Sequence, residues 1–165
     1  MNEQLTASKL WKRMTLDQRT QAARAFWGDE EAAGDHVQAA IYIAQQKKFR
    51  PKTVALLDID RKARHLGSLK LLPDFLAARA LIVYHLAEQR PMMSAFLDAL
   101  GIAHEDGLIK DDNVAPEKEK LAVATAAIAG QFSREDVSLY LNTLLCQDPD
   151  TWGALSELPQ LAAEE

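Results

Sequence analysis

The sequence predicts an all-α fold, a single globular bundle of seven to eight helices. Apolar residues recur at the 3.6-residue spacing of a helix throughout the 165-residue chain, and no segment alternates like a strand for long. Capping residues, prolines and glycines punctuate this pattern at intervals typical of helix ends. Tryptophan, glycine and proline residues do not recur at one fixed spacing, so a helical repeat array is the less favoured architecture.

Local signals place each helix in turn along the chain. Thr15 with Gln18, and Asp35 with Gln38, form capping-box patterns, in which a side chain accepts a backbone hydrogen bond at a helix start. Prolines at positions 51, 73, 91 and 116 suit a first helical turn, Ser133 suits a cap, and glycines at 28, 67, 101 and 130 suit helix ends. The predicted helices are 15–28, 35–47, 51–67, 73–90, 91–101, 116–129 and 133–146, followed by a short turn around Trp152.

The length of the chain favours one domain over residues 1–165, with short flexible tails at about 1–5 and 158–165. A chain of this length buries roughly 70% of the surface that its unfolded state exposes, so it needs no disulfide or metal to fold. As the single cysteine, Cys146 cannot form an internal disulfide, which is typical of a reducing compartment. No apolar run is long enough for a signal peptide or a membrane span. We therefore expect a cytoplasmic protein with no membrane partner.

Charge is divided unevenly along the chain, although the net charge is only −5. Residues 1–70 contain 13 Lys or Arg against 8 Asp or Glu, whereas residues 71–165 contain 6 against 16. The interpretation that we favour is that the basic part folds against the acidic part, since neighbouring helices often pair charges in this way. The alternative is a surface field that steers a charged partner.

The segment 76–91, LAARALIVYHLAEQRP, is the least polar stretch of the chain, yet it contains an arginine and a histidine. On a helix wheel that starts at residue 73, His85 falls on the same side as Asp74, Glu88 and Gln89. We therefore expect His85 to be exposed to solvent or paired at the surface.

Arg79 falls among apolar residues on the same wheel, and its guanidinium stays charged in a protein. We favour a structural role, in which the head group reaches water or pairs with an acid such as Asp58, Asp60 or Asp98. The alternative is a ligand-binding role, in which Arg79 clamps a phosphate or a carboxylate.

Basic and apolar residues share a predicted helical region between positions 47 and 70. The buried side of its wheel contains Ala55, Leu56, Ile59, Ala63 and Leu66. The opposite side is either a solvated basic face or a partner surface with an apolar centre and a basic rim. The candidate partner-surface residues are Lys47, Lys48, Arg50, Leu57, Arg61, Arg64 and His65.

No motif of a common enzyme or metal-site class is recognisable in the chain. None of the four histidines follows a glutamate at the spacing of di-iron bundles, one cysteine excludes a cysteine-rich zinc site, and no glycine-rich phosphate loop is present. The longest predicted loop, 101–116, contains His104, Glu105, Asp106, Asp111 and Asp112. Their spacing does not fit an EF-hand, so we favour a solvated acidic loop over a calcium site. We assign no catalytic residue and predict no metal site and no cofactor.

The segment 127–142, AIAGQFSREDVSLYLN, resembles a helix-turn-helix in outline. Its second helix would present Arg134, Glu135, Asp136, Ser138 and Asn142. This set is net negative and would repel phosphates, so a nucleic-acid partner is disfavoured.

These observations favour a non-enzymatic helical interaction or adaptor domain. Its partner would be another protein or a second copy of the chain in a homodimer. The alternative is a bundle that binds a small molecule, such as an anion, or a metal through scattered residues, as an enzyme also would. Association with a nucleic acid through the basic region 47–70 is a weaker alternative.

Overall fold

The computed structural model of the protein describes residues 5–105, 107–110 and 116–158. Helices make up 77% of the structure, against two strands of two residues each in this part of the chain. The prediction of an all-α fold is confirmed. The predicted tails lie outside the described residues, except for Leu5 and Leu158.

Ten α-helices follow one another along the described residues, with two short 3₁₀ turns and one β-hairpin between them. The helices are α1 (Ala7–Arg13), α2 (Leu16–Gly28), α3 (Ala33–Lys47), α4 (Pro51–Ala55), α5 (Ile59–Ser68), α6 (Asp74–Glu88), α7 (Arg90–Leu100), α8 (Lys118–Ala129), α9 (Arg134–Gln147) and α10 (Pro149–Trp152). The antiparallel strands are β1 (His104–Glu105) and β2 (Leu108–Ile109), and the 3₁₀ turns are Glu30–Ala32 and Gly153–Glu157.

Local capping accounts for most of the helix ends that the sequence predicts. The side chain of Thr15 accepts from the backbone N–H of Gln18, and the Gln18 side chain accepts from the backbone N–H of Thr15, which completes the predicted capping box of α2. At α9 the Ser133 side chain alone forms the cap, accepting from the backbone N–H of Asp136. Gly101 ends α7 with a φ of 72°, a conformation that residues with a side chain rarely adopt. Only α1, which Thr6 caps, was missing from the predicted helices.

The chain divides into two compact units. The first, called here the N-terminal unit, comprises Thr6–Ala87 and contains α1 to α5 with nearly all of α6. The second, the C-terminal unit, comprises Leu5 and the described residues from Glu88 onward, with α7 to α10 and the hairpin. The single domain over residues 1–165 stays a prediction.

Close packing of α2 on α5 forms the centre of the N-terminal unit. A Cβ atom added to Gly67 would lie only 2.8–2.9 Å from atoms of Thr20, so glycine is required at this crossing. Arg19 lies beside it and is 5% exposed. Its Nε donates to the Gly67 carbonyl at 2.7 Å, and its Nη1 donates to the Met14 carbonyl at 2.6 Å. Burial of the guanidinium lowers the pKa of Arg19, while the two carbonyls accept two of its five N–H donors.

The prediction of one helix over 51–67 is wrong, because the chain is broken there into α4 and α5. Asp58 adopts an extended conformation, and its side chain accepts from the backbone N–H three residues further on, which starts a new helix. The predicted buried face holds in the later part of α5, where Ala63 and Leu66 are each 1% exposed, but not at its first residue, Ile59, which is 37% exposed. It fails before the break, where Leu56 is 78% exposed.

The predicted start of α3 is also wrong, by two residues. The 3₁₀ turn Glu30–Ala32 leads directly into α3 at Ala33, so Asp35 lies in the first helical turn rather than at the cap. Asp29 provides the side-chain cap of this region, since it accepts from the backbone N–H of Glu31 at 3.1 Å. A carboxylate in the first turn still complements the helix dipole.

The expectation that His85 is exposed is wrong, because the side chain is only 2% exposed. Its Nδ1 lies 2.8 Å from the Leu81 carbonyl one turn earlier in α6, and its ring contacts Tyr84 edge-on at 5.2 Å. Since that carbonyl can only accept, Nδ1 carries the proton. Tyr84 and Val83 are buried beside it, so the C-terminal half of α6 is covered on most sides and the helix wheel does not identify an exposed one.

Three aromatic side chains form the core of the C-terminal unit. Phe96 on α7 is fully buried and contacts Tyr140 edge-on at 5.6 Å and Trp152 at 6.1 Å. Burial raises the pKa of Tyr140 well above its usual range, so its hydroxyl stays protonated. The main helix contact of this unit is between α7 and α8.

Candidate functional site

An apolar cavity of about 410 Å³ lies in the N-terminal unit, between the end of α2 and the helices α3, α4 and α5. Its volume falls in the range of small ligand sites, which is roughly 300–1,000 Å³. The lining residues are Trp27, His36, Val37, Ala40, Ile41, Pro51, Lys52, Ala55 and Lys62. The break between α4 and α5 is part of its architecture, since Ala55 ends one of these helices and Lys62 lies on the other.

Two rings in tilted contact, at an interplanar angle of 40°, form one wall of the cavity. Trp27 is 8% exposed, and the His36 ring lies 5.1 Å from it. The Nε2 atom of His36 is 2.6 Å from the carbonyl of Phe26. Because a carbonyl can only accept, Nε2 must carry the proton, and this bond fixes the imidazole against the indole.

Trp27 also contains a buried donor, its Nε1–H, that meets no acceptor among the residues described. Leaving such a donor unsatisfied costs on the order of 1–3 kcal/mol, so a group of this kind calls for a reason. The indole lies in the wall of the cavity, but its Nε1 atom is itself buried.

Two lysines make the rim of the cavity basic. The Lys62 ammonium lies 5.2 Å from the centroid of the Trp27 ring, within the range of a cation–π contact. Lys52 is exposed on α4. The lining contains no carboxylate, and neither ammonium forms an ion pair with a described residue. Asp58, four residues before Lys62, lies instead 3.7 Å from the Nε of Arg61.

Exposed apolar side chains continue the cavity at the surface. Val37 on α3 is 58% exposed, and Leu56, directly after the lining residue Ala55, is 78% exposed. Exposed large apolar residues beside a cavity are typical of a binding surface rather than of a solvated helix face.

Part of the predicted partner surface comes together beside the cavity. Phe49 contacts the ring of His65 edge-on at 5.4 Å. Desolvation of the imidazole, followed by the positive charges of Lys47 and Arg64, lowers the pKa of His65, which places both cations close to that ring. The Lys47 ammonium is held there, since it donates to Ser68 at 2.7 Å.

The other residues of the predicted partner surface are less tightly linked. Lys48 and Arg50 are exposed after α3, and Lys48 has a φ of 60° because it caps that helix in the left-handed conformation. Arg61 is exposed but lies near Asp58, which reduces its availability for a partner. Leu57 is half-buried in the break between α4 and α5.

Arg79 forms an ion pair, with its Nε 3.3 Å from a carboxylate oxygen of Asp35. The side chains are 38% and 37% exposed, so the pair is partly solvated and weak. The partner is none of the three acids that the sequence analysis named. Arg79 does not line the cavity, and its assignment as a ligand-binding residue stays a prediction.

His104 is held in a rigid setting within the predicted acidic loop. Its Nδ1 accepts from the backbone N–H of Gly107 at 3.0 Å, so Nε2 carries the proton and donates to Asp98 at 2.7 Å. This pair fastens the β1–β2 hairpin to α7. Glu105 pairs with Lys110 at 3.2 Å. Asp106, Asp111 and Asp112 lie outside the described residues.

The resemblance of α8 and α9 to a helix-turn-helix does not extend to a reading surface. Two of the polar residues that would face bases are buried, Ser138 at 0% and Asn142 at 8% exposure. The amide of Asn142 donates to the Ser138 carbonyl at 2.9 Å within α9. These side chains therefore cannot contact a groove without unfolding the helix.

No group of three or more His, Cys, Asp or Glu side chains in the described part of the chain is arranged to hold a metal ion. Among the same residues, no helix combines the length and the apolar character needed to cross a membrane. Comparison with protein-family models, curated proteins and solved structures finds no match.

Sequence reasoning missed the cavity and the role of Trp27 and Lys62. The sequence did contain one signal. Val37 and Ile41 lie one turn apart on α3, and the predicted helices did not include an apolar face assigned to cover them. Arg19 was also missed, because a buried arginine that binds only carbonyls has no mark in the sequence.

Proposed function

We propose that the protein is a non-enzymatic interaction domain, which binds an acidic segment of a protein partner. The binding surface, called here the basic face, consists of the cavity lining together with Lys47, Phe49, Arg64 and His65. The observation that carries the proposal is an apolar cavity whose two rim lysines pair with no described carboxylate.

The two parts of the basic face lie on the same helices. On α5, His65 follows Lys62 by three residues, so both project from neighbouring positions on one side. On α3, Lys47 lies eleven residues after His36, which returns it to nearly the same side of the helix about 16 Å further along. The cavity and the cationic cluster therefore support a single elongated contact.

The chemistry of this face favours a protein over a substrate or a nucleic acid. The lining offers no hydroxyl, thiol or carboxylate side chain, and the Nε2 of its histidine, His36, is bonded to a backbone carbonyl. A nucleic-acid surface would be mainly cationic, whereas Val37, Leu56 and Phe49 add exposed apolar area at its centre. An acidic segment with apolar side chains matches both properties.

A second copy of the chain is the other candidate partner, and the charge of its C-terminal unit favours this choice. Residues 88–165 contain 15 Asp or Glu against 5 Lys or Arg, so the C-terminal unit of one copy has the sign that the basic face requires. Sedimentation of the purified chain over a range of concentrations distinguishes this case, since self-association produces a concentration-dependent mass without another protein.

Cross-linking in the native cells, followed by affinity measurement, tests the proposal. Lysine cross-links from Lys47, Lys52 or Lys62 should reach a peptide rich in Asp and Glu. With that partner purified, Lys47→Glu combined with Arg64→Glu should raise Kd by about tenfold or more, because like charges then face each other.

The matched control reverses two exposed charges on another helix of the same unit, Lys12→Glu with Arg13→Glu. Circular dichroism verifies that both double variants remain folded. An unchanged Kd in the Lys47 and Arg64 variant, or an equal loss in the control, would contradict the proposal.

A further inference from the structure

We propose that the cavity is the anchor site of the basic face, and that it binds one large apolar side chain of the partner flanked by a carboxylate. The inference rests on the proposed function and adds the chemistry of the group that enters. Two independent features of the cavity carry it: its size with its apolar lining, and its two lysines.

The size of the cavity fits a single anchor. Its volume of about 410 Å³ lies near the lower end of the range of ligand sites, which suits one aromatic or branched aliphatic side chain. The walls are supplied mainly by Val37, Ala40, Ile41, Pro51 and Ala55, none of which has a polar side-chain atom. Anchors of this kind, inserted in a pocket and surrounded by polar contacts, contribute most of the affinity in protein interfaces.

The two lysines at the rim indicate which charged group of the partner lies beside the anchor. When an apolar group covers the cavity, it also removes water from the Lys62 ammonium, which lies over the Trp27 ring. An ammonium that loses its hydration needs an anionic partner, and the lining offers none. A carboxylate beside the anchor on the partner would meet Lys62 or Lys52.

The indole of Trp27 forms part of the cavity wall, and its Nε1–H is buried. The same N–H makes Trp27 a reporter, because an indole N–H gives a separate signal in a nitrogen–proton correlation spectrum.

The test uses two small probes that share one apolar body, phenylbutyrate and phenylbutanol. The full chain, labelled with nitrogen-15, is titrated with each probe, and the indole signal of Trp27 is assigned with Trp27→Phe. Phenylbutyrate should shift that signal with a Kd on the order of 1 mM, as expected for a fragment of this size. Phenylbutanol should bind about fivefold more weakly, because it lacks the charge that pairs with lysine.

Variants locate the binding of the probes. Lys62→Gln should weaken phenylbutyrate by about threefold to fivefold and leave phenylbutanol unchanged, whereas the matched control Lys12→Gln, on α1, should alter neither. Ala55→Leu adds bulk at the exposed rim of the cavity and should weaken both probes.

The outcomes separate this inference from the proposed function. No shift at Trp27 with either probe, or equal binding of the two probes, overturns the anchor site while leaving the double charge reversal as the test of partner binding. Probe binding at the cavity that responds to Lys62→Gln supports the anchor site even if no acidic partner is found, in which case only the proposed function fails.

Discussion

The two units of the molecule use their polar and apolar side chains in opposite ways. Seven of the nine exposed large apolar residues in the described chain lie in the N-terminal unit, and only Leu108 and Val123 lie in the C-terminal unit. Residues 6–87 contain 14 Lys or Arg against 8 Asp or Glu, whereas residues 88–165 contain 5 against 15. One unit therefore presents apolar groups and cations at its surface, and the other presents mainly acids.

Both units contain ion pairs, such as Arg79 with Asp35 in the N-terminal unit, but the cavity lysines take no part in those of the described residues. In the C-terminal unit they fasten local structure: His104 binds Asp98, and the Glu157 carboxylate bonds Lys118 at 2.6 Å and raises the pKa of that lysine. In the N-terminal unit, Lys52 and Lys62 remain unpaired among the described residues and face an apolar cavity. The difference teaches that the net charge of −5 conceals a surface of the opposite sign, and that this surface is where binding is to be sought.

The largest expected effect comes from the aromatic core of the C-terminal unit. Phe96→Ala should lower the free energy of unfolding by about 3–5 kcal/mol, because it removes a fully buried ring and leaves a cavity between Tyr140 and Trp152. Val123→Ala, at a residue 69% exposed in the same unit, should change it by less than about 0.5 kcal/mol. Urea unfolding followed by circular dichroism measures both, and similar losses would refute the assignment of the core.

The helix crossing in the N-terminal unit gives the next largest effect. Gly67→Ala should destabilise the protein by about 1–3 kcal/mol, because the new methyl group would lie 2.8–2.9 Å from atoms of Thr20. Gly34→Ala, within α3 where nothing lies within 4 Å of the added carbon, should instead stabilise it by roughly 0.5–1 kcal/mol. Thermal unfolding compares the signs of the two changes. A stabilising Gly67→Ala would mean that α2 and α5 pack less closely than described.

The exposed apolar residues sharpen the contrast between the units. Val37→Ser and Leu56→Ser should each weaken the partner by about 1 kcal/mol, because they remove apolar contact area around the cavity, with little effect on unfolding. Val123→Ser, the matched change in the C-terminal unit, should leave Kd unchanged. Calorimetric titration with the partner found by cross-linking provides the measurement. Equal losses for all three would argue that apolar exposure does not mark the binding surface.

The smallest effect concerns the pH dependence that His65 contributes. Its pKa is lowered in the folded protein, so the unfolded chain binds the proton more readily. The contribution of His65 to stability is therefore full above its unfolded pKa, about 6.5, and is lost as the pH falls through that value towards the folded pKa. His65→Gln should flatten the fall in stability on acidification in this window, as measured by unfolding at a series of pH values.

A second variant tests the cause of that shift. Lys47→Gln removes a positive neighbour and should raise the pKa of His65, which proton NMR of its ring detects directly. An unchanged titration would mean that Lys47 does not lie near the imidazole.

The helices themselves could be predicted from the sequence because their ends are set by short-range hydrogen bonds. The capping box of Thr15 with Gln18, the Ser133 cap and the left-handed Gly101 all involve residues within one turn of each other. Short-range signals did not predict the break within 51–67. An aspartate such as Asp58 can lie on the exposed side of a continuous helix, or it can cap the start of a new one. Propensity does not decide between these choices, and the packing of α5 on α2 does.

The candidate site was predicted only in part, for a related reason. The sequence placed Lys47, Arg64 and His65 in one basic region, and the structure brings these three together. It gave no indication that Trp27 lies against His36 and Lys62, because the α2–α3 connection and the break after α4 have to form before those side chains meet. Long-range contacts of this kind leave no periodic pattern to read.

Helical class, most helix limits and the division of charge were thus determined by the sequence alone, because each depends on neighbours along the chain. Tertiary structure decided which sides were covered and which charges met. It buried His85, paired Arg79 with Asp35, and joined Arg19 to Gly67 across 48 residues. The physical reason is that burial and pairing are properties of the whole set of packed neighbours, whereas a helix cap is complete within four residues.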